Sequence, residues 1–276
     1  MTYTTDQAIK FGVAGNMAGH LEQAGEASDF VAVKATTGRP KGLFPWHVPG
    51  APGVLGVDPV SGDALVIPAG EQRIQQEPEV ALLCELVWQD DRVSAVVPKA
   101  FAAYNDASIR KEAPKIRFKK HWGAASKGLG PWHALDGLHP GGTLDSWRLA
   151  SFVTRDGVTH PYGEDCSVPD YETFHADLLD WMADKLNAQQ DEGPLEDIPA
   201  WLAFAGRPTQ AVFGIGATRY TAFGRQERLR PRDVSVVVVY DGEVHTPEAV
   251  AAAVASDSAL TAASVLRQVV RESEDA

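Results

Sequence analysis

Short apolar runs separated by turn residues dominate the middle of this sequence, and they limit its possible folds more than any other feature. The runs are too short for buried helices and are rich in β-branched and aromatic side chains, which favours β-strands. They cover residues 64–67, 80–88, 93–97, 148–153, 210–215 and 234–240. The sequence therefore predicts a mainly β protein, and at 276 residues such a structure can form a single unit.

Two segments outside these runs have helical features. Asp170 is a candidate N-cap, and apolar residues recur at helical spacing over residues 174–186, which predicts an amphipathic helix. The Ala-rich tail, residues 247–271, predicts one broken helix or two short ones. Gly and Pro are so frequent near the start that residues 1–50 are expected to form an irregular arm or lid, and residues 51–276 the main domain.

Composition narrows the classes of function. The formal net charge is −12, from 25 basic and 37 acidic residues, so the surface should repel nucleic acids and anionic membranes. A basic cluster over residues 110–120 interrupts this background and suits a small anionic substrate. Cys84 and Cys166 lack the spacing of a zinc or redox motif. With no leader-like N-terminus and no run of about 18 apolar residues, we expect a cytoplasmic protein without a membrane partner.

Glu77 and Glu79 lie two positions apart at the start of an apolar strand, with Pro78 between them. Alternation along a strand places both carboxylates on one face. Two like charges beside a hydrophobic core are costly unless a cation neutralises them, and hard divalent cations prefer carboxylate oxygens. A solvent-facing pair at a strand edge would give the same pattern, so this motif alone leaves both interpretations open.

Two further polar segments could carry chemistry. Asn105 and Asp106 follow a strand, and Arg110 shares a face with the aspartate if a helical turn begins there. A turn with a surface ion pair would give the same pattern. His20 and Glu22 follow a glycine-rich turn, where a carboxylate near an imidazole can orient a general base. A histidine on the surface of a helix is the alternative.

Taken in order along the chain, these segments resemble the motifs of the fumarylacetoacetate hydrolase superfamily. The similar segments are residues 15–20 (GxNYxxH in the family), 43–45 (iFxKP), 77–79 (ExE), 105–110 (NDxSxR), 119–132 (GKSFDxxxPxGPW), 155–157 (vNGe), 215–218 (TGTPxG) and 229–233 (LkPGD). Each piece is degenerate by itself. Their common order extends the resemblance along nearly the whole chain.

The resemblance implies a fold and a metal site. The fold would be a mixed β-roll or barrel-like core with a few helices, an α+β arrangement dominated by strands. Glu77, Glu79 and Asp106 would hold the metal, which would be Mg²⁺ or Mn²⁺, with Ca²⁺ as a further candidate. Family members commonly form homodimers, so a homodimer is expected here.

The same resemblance implies roles for other side chains. His20 and Glu22 would move protons, while Lys120 and Arg110 would stabilise the carboxylate or oxyanion of the substrate. The family's lysine can be aligned with Lys119 or with Lys120, and either alignment needs a gap of about one residue. Of the two, Lys120 is preferred. The remaining candidates for substrate binding are Asn16, Asn105, Lys119, Gly216 and Thr218.

The sequence departs from the family pattern around the expected substrate pocket. Gln23 occupies the position of the usual acidic partner of the motif histidine, and the nearest acid is Glu22. Met17 replaces a tyrosine, and Ala217 replaces the second threonine of TGTP. The substrate pocket is thus altered more than the metal site, which indicates a divergent branch.

The resemblance also implies the class of reaction. The first expectation is an enzyme that cleaves a C–C bond in a 2,4-dioxo or related keto acid, as a hydrolase or lyase, with a small anionic keto acid as its substrate. An oxaloacetate-type decarboxylase and a keto–enol tautomerase are alternatives. A non-catalytic homologue that binds a metal or ligand is a third. Fold and metal site together do not choose among these.

Overall fold

The computed structural model describes residues 3–31, 33 and 38–273, and these form two main β-sheets with six α-helices. The strands are β1 (Ile9–Ala14), β2 (Gly42–His47), β3 (Ala64–Ile67), β4 (Ile74–Gln75), β5 (Pro78–Gln89), β6 (Arg92–Asn105), β7 (Ser108–Ile109), β8 (Gly128–Leu129), β9 (His133–Ala134), β10 (Trp147–Arg155), β11 (Val158–Pro161), β12 (Cys166–Ser167), β13 (Gln210–Gly214), β14 (Val234–Asp241) and β15 (Ala263–Glu272). The helices are α1 (His20–Ala24), α2 (Arg117–Lys120), α3 (His175–Ala188), α4 (Ile198–Phe204), α5 (Ala222–Gln226) and α6 (Pro247–Ala255). The mainly β, α+β fold expected from the sequence is confirmed. None of the helices in the described residues is both long and apolar enough to cross a membrane.

The two main sheets are mixed and share one core. The larger has the order β2-β1-β13-β5-β6-β8, with β9 also paired to β6, and β1 runs parallel to β13. The smaller has the order β11-β10-β14-β15-β3, with β12 also paired to β10, and β15 runs parallel to β3. Apolar side chains of both sheets and of α3 meet in a single buried cluster that includes Leu82, Phe213, Leu149, Val237 and Met182. Burial of this cluster is the main stabilising contribution.

The long hairpin of β5 and β6 positions the site. Its two-residue loop consists of Asp90 and Asp91, with φ angles of 48° and 63°. Positive φ at both loop positions is typical of the type I′ turn, whose twist matches that of the flanking strands. The turn and the strand pairing fix a register in which Pro78 opposes Asn105 at the far end of the hairpin.

The predicted amphipathic helix exists as α3, with Leu178, Met182 and Leu186 buried. The prediction that Asp170 is the N-cap of this helix is wrong. Asp170 instead completes a capping box with Ser167 around a separate 3-10 turn. The helix begins after that turn because the chain is extended at Phe174, which precedes the first helical residue.

The prediction for the tail is correct only in its first half. Residues 247–255 form α6, capped by Thr246, whose side chain accepts a hydrogen bond from the backbone N–H of Ala249. Residues 263–272 form strand β15 rather than a second helix. This strand pairs with both β14 and β3 and so lies inside the smaller sheet.

Residues 1–50 are not irregular throughout, because β1 and β2 belong to the larger sheet and every residue of both strands is buried. Between these strands, α1 and the 3-10 turn Ala27–Phe30 form a segment that we call the cover. Parts of the predicted arm, residues 1–2, 32 and 34–37, lie outside the described residues. The division of the chain at residue 50 stays a prediction.

Candidate active site

Three carboxylates converge where the β5–β6 hairpin ends. Glu77 and Glu79 flank the first residue of β5, while Asp106 directly follows β6. The backbone N–H of Asp106 donates to the carbonyl of Glu77 at 2.9 Å, which continues the hairpin pairing by one residue. Because side chains alternate along each strand, this register brings all three to one face. One oxygen from each carboxylate lies within 4.8 Å of the others.

All three carboxylates are buried, and their environments differ. Burial alone would raise the pKa of Glu77, but the charges of Lys120 and Arg110 outweigh burial and hold that pKa well below its usual range. Burial, with repulsion from Asp106, raises the pKa of Glu79 well above its ordinary value. Among the described residues, Glu77 and Asp106 form ion pairs and Glu79 forms none.

Lys120 supplies a positive charge inside the carboxylate cluster. It is the last residue of α2, and its Nζ lies 2.5 Å from Glu77 Oε2 and 2.6 Å from Asp106 Oδ2. Burial opposes its charge, but the two carboxylates raise the pKa of Lys120, so its ammonium stays protonated. This ammonium marks the position where the fold stabilises a cation.

Two further groups hold the carboxylate of Asp106 through its Oδ1 atom. Its Oδ1 accepts a hydrogen bond of 2.8 Å from the Tyr104 hydroxyl and lies 2.8 Å from the Nζ of Lys127. Lys127 is fully buried and also donates to the carbonyl of Ala107 at 2.7 Å. Burial lowers the pKa of Lys127 to about 8, although Asp106 opposes that shift. With Oδ1 held in this way, the other oxygen of Asp106 is directed toward Lys120.

The residues present fit a divalent metal ion. Glu77 Oε1 and Asp106 Oδ2 are buried, and neither accepts a hydrogen bond of good geometry from the residues described. Within the part of the chain that the structure describes, the carboxylate of Glu79 accepts a hydrogen bond from the N–H of Gly216 alone, at 3.0 Å. A Cβ on Gly214 would lie 2.5 Å from Glu79 Oε2, so the glycine leaves the space that this carboxylate occupies. Three buried carboxylates that converge in this way are the kind of ligand set that Mg²⁺, Mn²⁺ and Ca²⁺ prefer, although Lys120 and Arg110 already balance part of the charge of Glu77 and Asp106.

His20 opens helix α1 and is buried beside the carboxylates. Its Nδ1 is 2.7 Å from the carbonyl oxygen of Thr218, which can only accept, so Nδ1 carries the proton. Burial lowers the pKa of His20, while the nearby charge of Glu77 opposes that shift. The Nε2 atom, 3.9 Å from Glu77 Oε2, is therefore an unprotonated nitrogen available as a base.

Glu22, the expected partner of His20, is exposed on α1 and forms no hydrogen bond or ion pair with His20 in the described structure. Gln23 points elsewhere and accepts the backbone N–H of Tyr220. The carboxylate nearest the imidazole is instead that of the candidate metal ligand Glu77. The structure does not bring His20 and Glu22 together, because side chains two positions apart on a helix point about 200° away from each other.

Arg110 reaches the site, but protein groups occupy its donors. Its Nε donates to Gln75 at 2.6 Å and its NH1 to Glu26 at 2.7 Å. Its NH2 donates to the hydroxyl of Tyr220 and lies 2.8 Å from Glu77 Oε1. The guanidinium therefore connects the carboxylate cluster to the cover, because it binds both Glu77 and Glu26. Asp106 and Arg110 do not form the surface ion pair considered above.

All five of the predicted substrate-binding residues have mainly structural contacts. Asn16 is buried and bonds Thr173 through both its amide oxygen and nitrogen, and the nitrogen also bonds the Ile215 carbonyl. Asn105 donates to Ser235 of β14 and Gln268 of β15. The other contacts are those of Lys119 with Glu26 and Asp29, of Thr218 with His20, and of Gly216 with Glu79 and Tyr171. Gly216 and Thr218 thus position two site residues through their backbones.

Sequence reasoning missed three buried site residues. Glu26 lies in a polar stretch without a motif, Lys127 lies in a segment matched only loosely, and Tyr220 follows the TGTP-like loop. The hydroxyl of Tyr220 contacts Arg110, and its ring lies 5.3 Å from the imidazole of His20. A lysine or tyrosine in a turn-rich segment gives no sequence signal of burial, so the fold alone reveals these contacts.

These residues enclose a cavity of about 20 Å³, which is room for about one water molecule. Its polar lining comes from Asn16, His20, Glu26, Glu77, Glu79, Asp106 and Lys120. Leu21 and Phe30 line it from the cover. The cover therefore closes the site, with Glu26 bonded to Arg110 and Lys119.

Comparisons with known proteins identify a family and a fold. A model of a family of unknown function, DUF5718, matches residues 26–270. No curated protein matches the sequence.

Several solved structures share the fold. One is a 2-keto-3-deoxy-D-arabinonate dehydratase complexed with magnesium and 2,5-dioxopentanoate, with a TM-score of 0.52 and 13% identity over 98% of this chain and 75% of that one. Another is a 5-carboxymethyl-2-hydroxymuconate delta-isomerase from Mycobacterium smegmatis, with a TM-score of 0.53 and 14% identity over 97% and 80%. A probable 2-hydroxyhepta-2,4-diene-1,7-dioate isomerase from Mycobacterium abscessus has a TM-score of 0.55 and 13% identity over 97% and 76%. The fold expected from the resemblance to the fumarylacetoacetate hydrolase superfamily is confirmed.

Proposed function

This chain belongs to DUF5718, a family of unknown function, and from that premise and its fold we propose that it is a divalent-metal-dependent enzyme acting on 2-keto acids. One observation carries the proposal. Three buried carboxylates, Glu77, Glu79 and Asp106, converge within 4.8 Å beside the unprotonated nitrogen of His20. Such a pairing of a hard-cation site with a base in a closed cavity suits chemistry that begins by polarising a carbonyl group.

The three carboxylates would hold Mg²⁺ or Mn²⁺, with Ca²⁺ as a weaker candidate because it prefers more oxygen ligands. When bound, the ion supplies a Lewis acid for the neighbouring oxygens of a 2-keto acid. The dehydratase that shares this fold is complexed with magnesium and a dioxo acid, which supports Mg²⁺ and a small keto-acid substrate here.

We place hydrolysis of a C–C bond in a 2,4-dioxo acid first among the reactions. His20 Nε2 takes a proton from water as the water oxygen attacks the 4-carbonyl carbon. The C3–C4 bond then breaks, its electron pair goes to C3, and the proton is delivered there. The products are pyruvate and the carboxylic acid of the acyl group. Lys120, as a buried ammonium, would stabilise the negative charge of the substrate, and Arg110 would hold Glu77 and the cover in place.

Keto–enol tautomerisation is the second candidate, and the two isomerases that share the fold favour it. It would use the same His20 to move a proton at C3 without breaking the C3–C4 bond. Decarboxylation and metal binding without turnover complete the set of possible outcomes. Product analysis separates them, because only hydrolysis releases pyruvate with a second acid.

The test compares wild type with Glu79→Gln, an isosteric change that removes one carboxylate charge. Both proteins are stripped with chelator and reloaded with Mg²⁺ or Mn²⁺, and the loss of the enol absorbance of 2,4-dioxo acids is followed. We expect metal-dependent loss in the wild type. In the variant we expect metal affinity, measured by calorimetry, to fall by more than about 100-fold with unchanged circular dichroism.

Thermal unfolding supplies a readout besides activity. A metal at about 100 times its Kd should stabilise the wild type by about 2.7 kcal/mol and should leave Glu79→Gln almost unaffected. Equal stabilisation of both proteins would contradict the metal assignment. Metal binding without any change in 2,4-dioxo acids would reject the catalytic part and favour a binding protein.

The expected homodimer is also part of the proposal, and light scattering of the purified protein tests it. A monomer at all concentrations would contradict that expectation without affecting the metal site, since every residue that we assign to the site comes from one chain.

A further inference from the structure

All four oxygens of Glu77 and Asp106 lie close to a cation of the protein. Glu77 Oε1 is 2.8 Å from NH2 of Arg110, and Glu77 Oε2 is 2.5 Å from Nζ of Lys120. Asp106 Oδ1 is 2.8 Å from Nζ of Lys127, and Asp106 Oδ2 is 2.6 Å from Nζ of Lys120. Of these three cations, Lys120 is therefore the one that contacts both carboxylates.

Lys120 also differs from the other two cations in its position. Its side chain lines the cavity, whereas Arg110 and Lys127 are not among the described residues of the lining. The cavity has room for about one water molecule, which is enough for a single small ion. An ion that reaches the carboxylates from the cavity therefore meets the ammonium of Lys120 first.

The other two cations are held more firmly than Lys120. Arg110 also donates to three side chains outside the carboxylate cluster, and Lys127 also donates to the carbonyl of Ala107. Among the described residues, the ammonium of Lys120 donates a hydrogen bond to Glu77 alone. Because a lysine ammonium is a compact charge on a flexible stem, Lys120 is the cation that can leave the cluster.

The charges of the cluster show why a cation must leave. Even with Glu79 counted as ionised, three negative charges on the carboxylates face three positive charges, on Arg110, Lys120 and Lys127. A divalent ion added to this set would create an excess of two positive charges in a buried site, which is unfavourable. Departure of the Lys120 ammonium halves that excess and frees one oxygen on each of two ligands.

We propose that Lys120 is a built-in competitor of the metal. A divalent ion binds when the ammonium of Lys120 leaves Glu77 and Asp106, and this exchange sets the affinity of the site. The inference rests on the proposed function and adds how its metal site is loaded. The loss of two close charge pairs opposes binding, so the same carboxylates without the lysine should bind the ion more tightly.

The test compares the affinity for Mn²⁺ of Lys120→Met and Lys119→Met, measured by calorimetry on the chelator-stripped proteins. Both changes remove one buried positive charge from α2, but Lys119 contacts Glu26 and Asp29 rather than a candidate ligand. We expect Lys120→Met to raise the affinity at least about 10-fold over the wild type, and Lys119→Met to change it less than about 3-fold.

Thermal unfolding gives a second readout, because removal of Lys120 leaves buried carboxylates unbalanced. The stripped Lys120→Met protein should melt below the wild type. Addition of Mn²⁺ should then raise its Tm by at least about 3 °C more than it raises that of the wild type. If the stripped variant is unfolded, Mn²⁺ should restore its circular dichroism, and a failure to do so would overturn the inference.

The calorimetric outcomes separate the inference from the proposed function. Equal or weaker binding of Mn²⁺ by Lys120→Met than by the wild type would overturn the inference while the metal site stands. Equal gains in Lys120→Met and Lys119→Met would also overturn it, because loss of any nearby charge would then suffice. Binding by neither the wild type nor Lys120→Met would overturn both. Binding by Lys120→Met alone would support the competition and contradict the proposed metal dependence.

Discussion

Gly214→Ala should damage the proposed metal site from a position that supplies none of its ligands. Gly214 ends strand β13, and a Cβ added there would lie 2.5 Å from Glu79 Oε2 and 2.6 Å from Cε1 of Tyr104. Real Cβ contacts are longer, so one of these side chains must move. Tyr104 stacks on Trp46 with a ring separation of 5.3 Å, and its hydroxyl holds Asp106. A shift of either side chain therefore displaces a metal ligand.

The expected size of the effect follows from these contacts. Overpacking a buried position costs roughly 1–3 kcal/mol of stability. For a chain of this size that cost corresponds to a fall in Tm of roughly 2–10 °C. Displacement of a group that orients a ligand reduces metal affinity by about 10–100-fold.

Two measurements on the purified variant test this reasoning. Calorimetric titration with Mn²⁺ gives the affinity, and circular dichroism gives the Tm. Gly62→Ala is the control, because its added Cβ would meet nothing closer than the carbonyl oxygen of Leu129 at 3.8 Å. If Gly214→Ala bound Mn²⁺ as tightly as Gly62→Ala and melted at the same temperature, the assignment of Gly214 as the space for Glu79 would be refuted.

Two further predictions concern buried charges. Lys127→Met removes the buried cation beside Asp106 Oδ1, so we expect the free energy of unfolding, measured in urea, to fall by about 3 kcal/mol. The control Lys99→Met breaks an exposed ion pair with Glu85 and should lower that free energy by less than about 1 kcal/mol. Equal losses in the two variants would contradict a special role for the buried lysine. Because burial lowers the pKa of His20, its base form persists below the usual range, and kcat/KM should stay constant at neutral pH and fall only below about pH 6.5. An acidic limb centred above neutrality would argue against His20 as the base.

The three carboxylates could be predicted from the sequence, in part because strand geometry determines which side chains share a face. Glu77 and Glu79 must share a face of any strand, and the resemblance to a known family supplied Asp106 as the third ligand. The hairpin register then brings them together without help from distant parts of the chain. Local geometry and motif order were sufficient at this point.

Prediction failed where polar residues are buried. In β15 the inward face carries Ser264, Leu266, Gln268 and Val270, and the two polar members hide the alternation that marks a strand. Gln268 is fully buried because its amide bonds the side chain of Asn105 and the carbonyl of Ala64. Such long-range partners override the local pattern, and the sequence alone gives no sign of them.

The contacts of Glu26 and Arg110 show the same limit. Their carboxylate and guanidinium meet across 84 positions of sequence, so neither motif reading nor residue spacing could pair them. The resemblance implied that Arg110 binds the substrate. In the structure its guanidinium has four protein partners, namely Gln75, Glu26, Tyr220 and Glu77.

The position of the Lys120 ammonium has a consequence for how the protein is made. A newly synthesised chain that must bury several carboxylates needs positive charge at the same place, and here one arrives on the same polypeptide. Lys120 therefore balances part of the charge of Glu77 and Asp106 without a divalent ion. On the proposed function, the ion would join a fold whose buried charges are already partly balanced.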